Sequence, residues 1–253
     1  MKKLLILLVV LQCCVVQAET WTVGDGLTAT SRLSKAERSE KLVKLTLVGG
    51  VAVTSEQQGL TIHSDKMTLN ARQDPKQKKA YLVDTAVATG HVVVLKAMPS
   101  KTGKQSTRIE GASAEYISGV NESIVKMPVP MKIQSFNEKG QPTMTGTGNS
   151  GVATLEPLKK TNFENALRKA VLDGNVHFDM TQYDPKSKSK SPTTLHTTSD
   201  HMVMENIADG KRITLTGSVH ISADNFGDMK GASRAVIVIN KAGRIEFETS
   251  GGK

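Results

Sequence analysis

Six histidines are the residues best suited by type to hold a metal or move a proton: His63, His91, His177, His196, His201 and His220. His196 and His201 stand five apart. On one continuous strand they face opposite sides, the wrong geometry for a shared metal unless a bend intervenes. His177 and His220 hold equivalent places in the repeat described below, which marks a tolerated surface slot pointing outward. No metal site is expected. Asp65 and Asp200 are likewise equivalent to one another, and Asp74, Asp184 and Asp209 fall in turns, whose chemistry accounts for them. Paired carboxylates do acid–base work only at a set separation in a perturbed environment, and nothing in the spacing sets either. The serines lack a nucleophile-elbow context, and Gly146-Thr147-Gly148 opens no phosphate-binding helix. The chain is not expected to be an enzyme; no catalytic residue and no cofactor is assigned.

The elements that carry these residues follow a beat. A phrase G-x-V-x-V appears as Gly49 to Val53 and Gly90 to Val94, and returns as Gly174 to Phe178 and Gly217 to Ile221. The steps between first glycines are 41, 84 and 43 residues, so a copy is missing near residue 132. There Pro130-Met131-Lys132-Ile133 keeps the apolar alternation with proline in place of glycine. Five units of about 42 residues therefore run from residue 42 onward. Repeats of this length are supersecondary units, each unable to bury its apolar face alone.

A second phrase follows the first by about ten residues: Ile62 to Leu69, Ile109 to Tyr116, Met144 to Val152, Leu195 to Met204 and Met229 to Ile237. Its small residue or Asp between two alternating segments suits a corner or bulge between strands. A third segment, rich in Val, Ile, Leu, Thr and Tyr, leads into each glycine and reads as a strand. Three short strands per unit predict an all-β fold of about fifteen short antiparallel strands. Lys159 to Ala170 is the one segment with helical spacing, through Phe163, Ala166, Leu167 and Ala170. Alternation places Val51, Val53, Val92, Val94, Met131, Ile133, Val176, Phe178, Val219 and Ile221 on one inward apolar stripe.

The chain opens Met1-Lys2-Lys3, continues through the apolar Leu4 to Val16 and reaches Val16-Gln17-Ala18. Residues 1–18 fit a secretory signal peptide cleaved after Ala18, and the apolar run is short of the ~20 residues of a membrane span. Residues 19–41 form an N-terminal segment in which Thr22 to Leu33 suits an edge strand, and residues 42–253 form one domain. Both cysteines, Cys13 and Cys14, lie inside the signal, so the exported chain is expected to be free of disulfides. The formal charge of +9 is concentrated in lysine-rich turns, with a Lys/Ser/Pro-rich loop at Asp184 to Thr193. Lysines there blunt strand edges, or they form a basic rim that attracts an anionic ligand. Export and the lack of a basic–aromatic motif exclude nucleic acid as a partner.

These phrases in this order, behind an export signal, resemble the OstA-like family of lipopolysaccharide transport proteins, and its soluble periplasmic bridge component above all. Gly90 to Val94, Gly217 to Ile221, Ile62 to Leu69 and Leu195 to Met204 carry the likeness, which spans roughly residues 42–248. The departures are Pro130 and the lack of Asp at two corners. The resemblance implies a twisted β-jellyroll in the periplasm that shields lipid A acyl chains as lipopolysaccharide crosses to the outer membrane. The ten-residue stripe would then line the groove. Edge-strand pairing with OstA-like domains of the inner- and outer-membrane complexes, and self-association, are implied with it. The alternative reading is a structural or adhesive β-solenoid that binds no lipid.

Overall fold

Alternating Val, Ile, Leu and Thr can hide one face and still satisfy every backbone group only by pairing into a sheet. The computed structural model describes residues 19–23, 26–99, 103–156, 167–182, 193–208, 210–223, 227–240 and 245–250. The expected signal peptide, Asp184, Asp209, residues 184–192 of the basic loop and residues 159–166 of the expected helix lie outside the described residues. The described end of that helix is strand, not helix. Arg168 is an extra residue in the ladder between Lys169–Thr154 and Leu167–Leu155. This bulge turns Leu167 and Ala170 to the same side at a spacing of three, which imitates a helical face.

Sixteen strands are described, every pair antiparallel. They are β1 (Glu19–Thr22), β2 (Leu27–Ser31), β3 (Leu33–Arg38), β4 (Leu42–Ser55), β5 (Leu60–Asp74), β6 (Gln77–Pro99), β7 (Lys104–Ser118) and β8 (Ser123–Met127). The chain continues as β9 (Met131–Phe136), β10 (Pro142–Gly148), β11 (Ser150–Leu155), β12 (Leu167–Gln182), β13 (Thr193–Ile207), β14 (Gly210–Ala223), β15 (Gly227–Asn240) and β16 (Ile245–Ser250). The short-strand expectation is corrected here. The segment leading into each glycine and the phrase that follows it are two halves of one long strand, so β4, β6, β12 and β14 run straight through their glycines. One repeat is an out-and-back pair of such strands.

Each long strand bends at its middle, where the alternation of buried and exposed residues is interrupted. In β4 the buried Leu47 and Val51 are separated by three residues, Val48, Gly49 and Gly50. In β5 the buried Ser64 and Met67 are separated by two, Asp65 and Lys66. The ladder shows the same inequality, pairing Val48 with Lys66 and Val51 with Ser64. The extra residue falls on the glycine-bearing strand, as at Thr89 to Val92 and Asp173 to Val176, and the β14–β15 pair adds a second one, Gly231, on β15. The prolines Pro128 and Pro130 occupy the same three-residue corner between β8 and β9, and Asn149 with Ser150 the two-residue corner between β10 and β11. Proline has no N–H to give the ladder, so that course is split into two strands.

The bends divide the sheet into two walls that meet along the line of corners. Residues 42–48, 66–74, 113–118 and 201–207 belong to the first wall; residues 51–55, 60–64, 104–111 and 193–199 belong to the second. In the middle, β7 reaches β12 by two routes, through β8 and β11 on the first wall and through β9 and β10 on the second. Traced through these pairs the strand order closes on itself as a barrel at the line of corners, while the rims on the far side are not paired to each other by backbone among the described residues. The inner faces pack directly on each other: a Cβ added to Gly146, on the second wall, would stand 2.8 Å from Leu172 Cδ1 on the first. Among the described residues no helix is long and apolar enough to cross a membrane.

Candidate functional site

The repeated phrases build the line of corners. Gly90 and His91 have φ of +73° and +46°, and Gly174 and Asn175 have +71° and +49°. Two successive left-handed residues make the extra residue of the bulge, and the first position must be glycine for a second reason. The carboxylate-bearing corner residue of the next strand lies on it: a Cβ on Gly90 would stand 2.8 Å from Asp65 Cβ, and one on Gly217 2.5 Å from Asp200 Cβ. Asn149 covers Gly174 in the same way. Asp200 then accepts the backbone N–H of Ser218 at 3.0 Å, and Asp65 meets His91 Nδ1 at 2.7 Å. The serine beside each Asp spans the corner, Ser64 Oγ donating to Lys66 O at 3.1 Å and Ser199 Oγ to His201 O at 3.0 Å. The Ser-Asp phrase is thus the partner of the glycine phrase on the neighbouring strand.

The histidines lie on the outer surface. The bend in β13 shifts the alternation, so His196 and His201 both face outward, on different walls, rather than to opposite sides of one strand. His196 meets Asp179 at 2.8 Å and His201 pairs with Asp173. His177 is exposed, and His220 is half-buried, 3.8 Å from Asp228. Among the described residues no three His, Cys, Asp or Glu side chains gather as a metal ion would require.

All ten residues of the predicted stripe face inward, each 3% exposed or less. They form one apolar cluster with first-wall residues such as Leu45, Leu69, Tyr116, Leu172 and Leu215. Within the second wall they make two rows: Val51, Val92, Met131, Val176 and Val219 next to the corners, and Val53, Val94, Ile133, Phe178 and Ile221 one step out. Ladder pairs such as Ile62 with Val94 and Ile109 with Ile133 make the second row continuous from strand to strand. The interior is filled by the protein's own side chains. Met131 reaches across to the first wall, where a Cβ on Gly151 would lie 2.5 Å from its sulfur.

Sequence reasoning missed what happens at the rim opposite the corners. The short 3₁₀ turn Glu56–Gln58 joins β4 to β5 at the rim of the second wall. From it the Gln58 side chain crosses to the first wall. Its Nε2 donates to Val83 O at 3.0 Å and to Ser118 Oγ at 3.3 Å, and its Oε1 accepts Val83 N–H at 2.9 Å. Gln58 O in turn accepts from Lys96 Nζ at 2.5 Å. Lys96 is only 2% exposed, and burial in this apolar setting brings its pKa down to about 8. Lys96 continues the inward alternation of Val92 and Val94, two residues beyond the end of the predicted stripe on this strand. Tyr116, also buried, donates to Ser123 Oγ at 3.0 Å, and its burial raises its pKa. Among the described residues no backbone hydrogen bond joins the two rims. Comparison of the chain with protein-family models, with curated proteins and with solved structures gave no match.

Proposed function

We propose that this protein is a periplasmic carrier of lipopolysaccharide, an OstA-like β-jellyroll whose two walls separate to take lipid A acyl chains between them. The observation that carries this reading is the construction of the interior. Two apolar walls are joined by backbone along one line of corners, and on the far side the described residues hold them by side chains alone. Separating the rims leaves every ladder intact. Acyl chains then replace the lost wall-to-wall contacts, each buried CH₂ contributing about 0.8 kcal/mol. Val92, Val94, Val176, Phe178 and their row-mates are the contact surface.

Unpaired strand edges support the bridging part of the reading. On the second wall, residues 227–232 of β15 have no outer neighbour among the described residues, where β16 pairs with Arg234 to Ile239. At the other end, among the described residues, β1 and β3 are edges of the second and first walls. Such edges accept a strand from another OstA-like domain or from a second copy. Photo-crosslinkers placed at Phe178 and Val92 are expected to capture lipopolysaccharide in cells, whereas one at the outward His177 is not. Capture confined to position 177 would count against the interior as the lipid site.

The filled interior favours one other reading, a structural β-solenoid that carries nothing. Native mass spectrometry decides between them, since a carrier retains or acquires acylated lipid and a solenoid does not.

A further inference from the structure

Toward its rim the second wall carries a row of five inward residues of which four, Ser55, Lys96, Thr107 and Ser135, are polar. Ladder pairing sets Ser55 against Leu60, Leu60 against Lys96, and Lys96 against Thr107, and Thr107 pairs with Ser135 beyond it. All five are buried. Thr107 Oγ1 and Ser135 Oγ lie 3.3 Å apart and satisfy each other. Among the described residues Ser55 Oγ has no partner. Lys96 has three N–H donors and one acceptor, Gln58 O, and among the described residues no carboxylate lies within 4.0 Å of it. Gln58 belongs to the turn that joins Ser55 to Leu60, so its bond holds the ammonium at the turn that follows the unmet hydroxyl.

A buried ammonium with spare donors is costly unless an anion meets it. One step inward, the neighbouring row of Val53, Ile62, Val94, Ile109 and Ile133 is wholly apolar. A charged end at the rim and an apolar row behind it match an amphiphile lying with its head outward.

We infer that Lys96, with Ser55, is a subsite for the oxyanion head, phosphate or carboxylate, of an acylated amphiphile whose chain enters between the walls. The head takes the two N–H donors that Gln58 O leaves and the Ser55 hydroxyl. The inference rests on the lipid-carrier reading and adds to it the placement and charge of the head.

The test measures binding of dodecyl phosphate, laurate and the neutral dodecanol to the full chain, as wild type, Lys96→Met and Lys96→Arg. The wild type is expected to prefer the anions by about tenfold or more, the scale of a charge-assisted hydrogen bond. Lys96→Met should lose that preference and keep its affinity for dodecanol, and Lys96→Arg should retain it. Dodecyl phosphate and laurate together show which oxyanion fits better. Inorganic phosphate at millimolar concentration should not compete; if it competes as well as dodecyl phosphate, the site is one for free phosphate and the inference fails. An anion preference that survives in Lys96→Met also overturns it. If the wild type binds dodecanol and both anions alike, the subsite is wrong and the carrier reading stands. If it binds none of the three, both fall. Should Lys96→Met not fold, the wild type alone decides: its anion preference must fade as alkaline pH neutralises the amine, and a preference constant to pH 11 would sink the proposal.

Discussion

The corner glycines are held to their identity by two independent constraints. Gly90 has a left-handed φ of +73°, and the Asp65 side chain occupies the place of its missing Cβ. Gly90→Ala is therefore expected to lower stability by about 1–3 kcal/mol. Gly50 shares the left-handed φ, +60°, but has nothing within 4 Å of a Cβ. Gly50→Asn should cost only a few tenths of that, since Asn tolerates this conformation. Urea unfolding midpoints check both, and equal losses at the two sites would remove Asp65 from the account. Lys96 is a second residue with a measurable signature. Its pKa falls to about 8 in the folded protein, against about 10.4 unfolded. Between those values the unfolded chain binds more protons, so the buried cation's penalty, present in full below pH 8, is relieved as pH rises to about 10.4. The stability of the wild type relative to Lys96→Met should climb across that window. A difference that stays flat from pH 7 to pH 10.5 would show that the amine is not confined.

At the scale of the element, the turn Glu56–Gln58 acts as a short strand extension. Val83 lies past the end of β7, whose pairing with β6 begins at Ile117 and Thr85, so its N–H and C=O face no strand there. The Gln58 amide supplies both bonds. Gln58→Ala is expected to leave the amides near the corners protected and to speed hydrogen exchange at Val83 N–H by tenfold or more, because the rims part locally without unfolding. Uniform loss of protection across β4 to β7 would mean that the walls open only by global unfolding. The inward stripe was legible because alternation survives within each half strand. The corner was less legible: Leu47 and Val51 stay in phase across three residues, so one bent strand reads as two straight ones. Gln58 could not be found at all from sequence. Its partners lie 25 and 60 residues away and meet it only when the walls close.

For the whole molecule, the repeat predicted which residues face inward but not how full the interior is. Filling depends on pairs such as Leu172 with Gly146 and Met131 with Gly151, whose contact is set by the angle between walls rather than by any local pattern. The placement of Lys96 among apolar residues was visible as a letter and invisible as a buried charge, since only closure of the rim removes it from water. The missing fifth glycine has a larger effect than one lost residue. Pro128 and Pro130 split their course, and the neighbouring course is split at Asn149, so the run of continuous long strands β4 to β7 is separated from the run β12 to β15 by a broken middle.

The reversals of the chain alternate between the two rims: Ser55 to Leu60 on the second wall, Asp74 to Gln77 on the first, and so on down its length. Growth of such a molecule is therefore quantised. One repeat of about 42 residues adds two strand spacings, about 10 Å of interior, and returns the chain to the rim it left. Half a repeat would deliver the carboxyl end to the opposite rim and present the other wall as the last edge. The number of repeats thus works as a ruler graduated in steps of about 10 Å, with the parity of the courses setting which wall a neighbour meets.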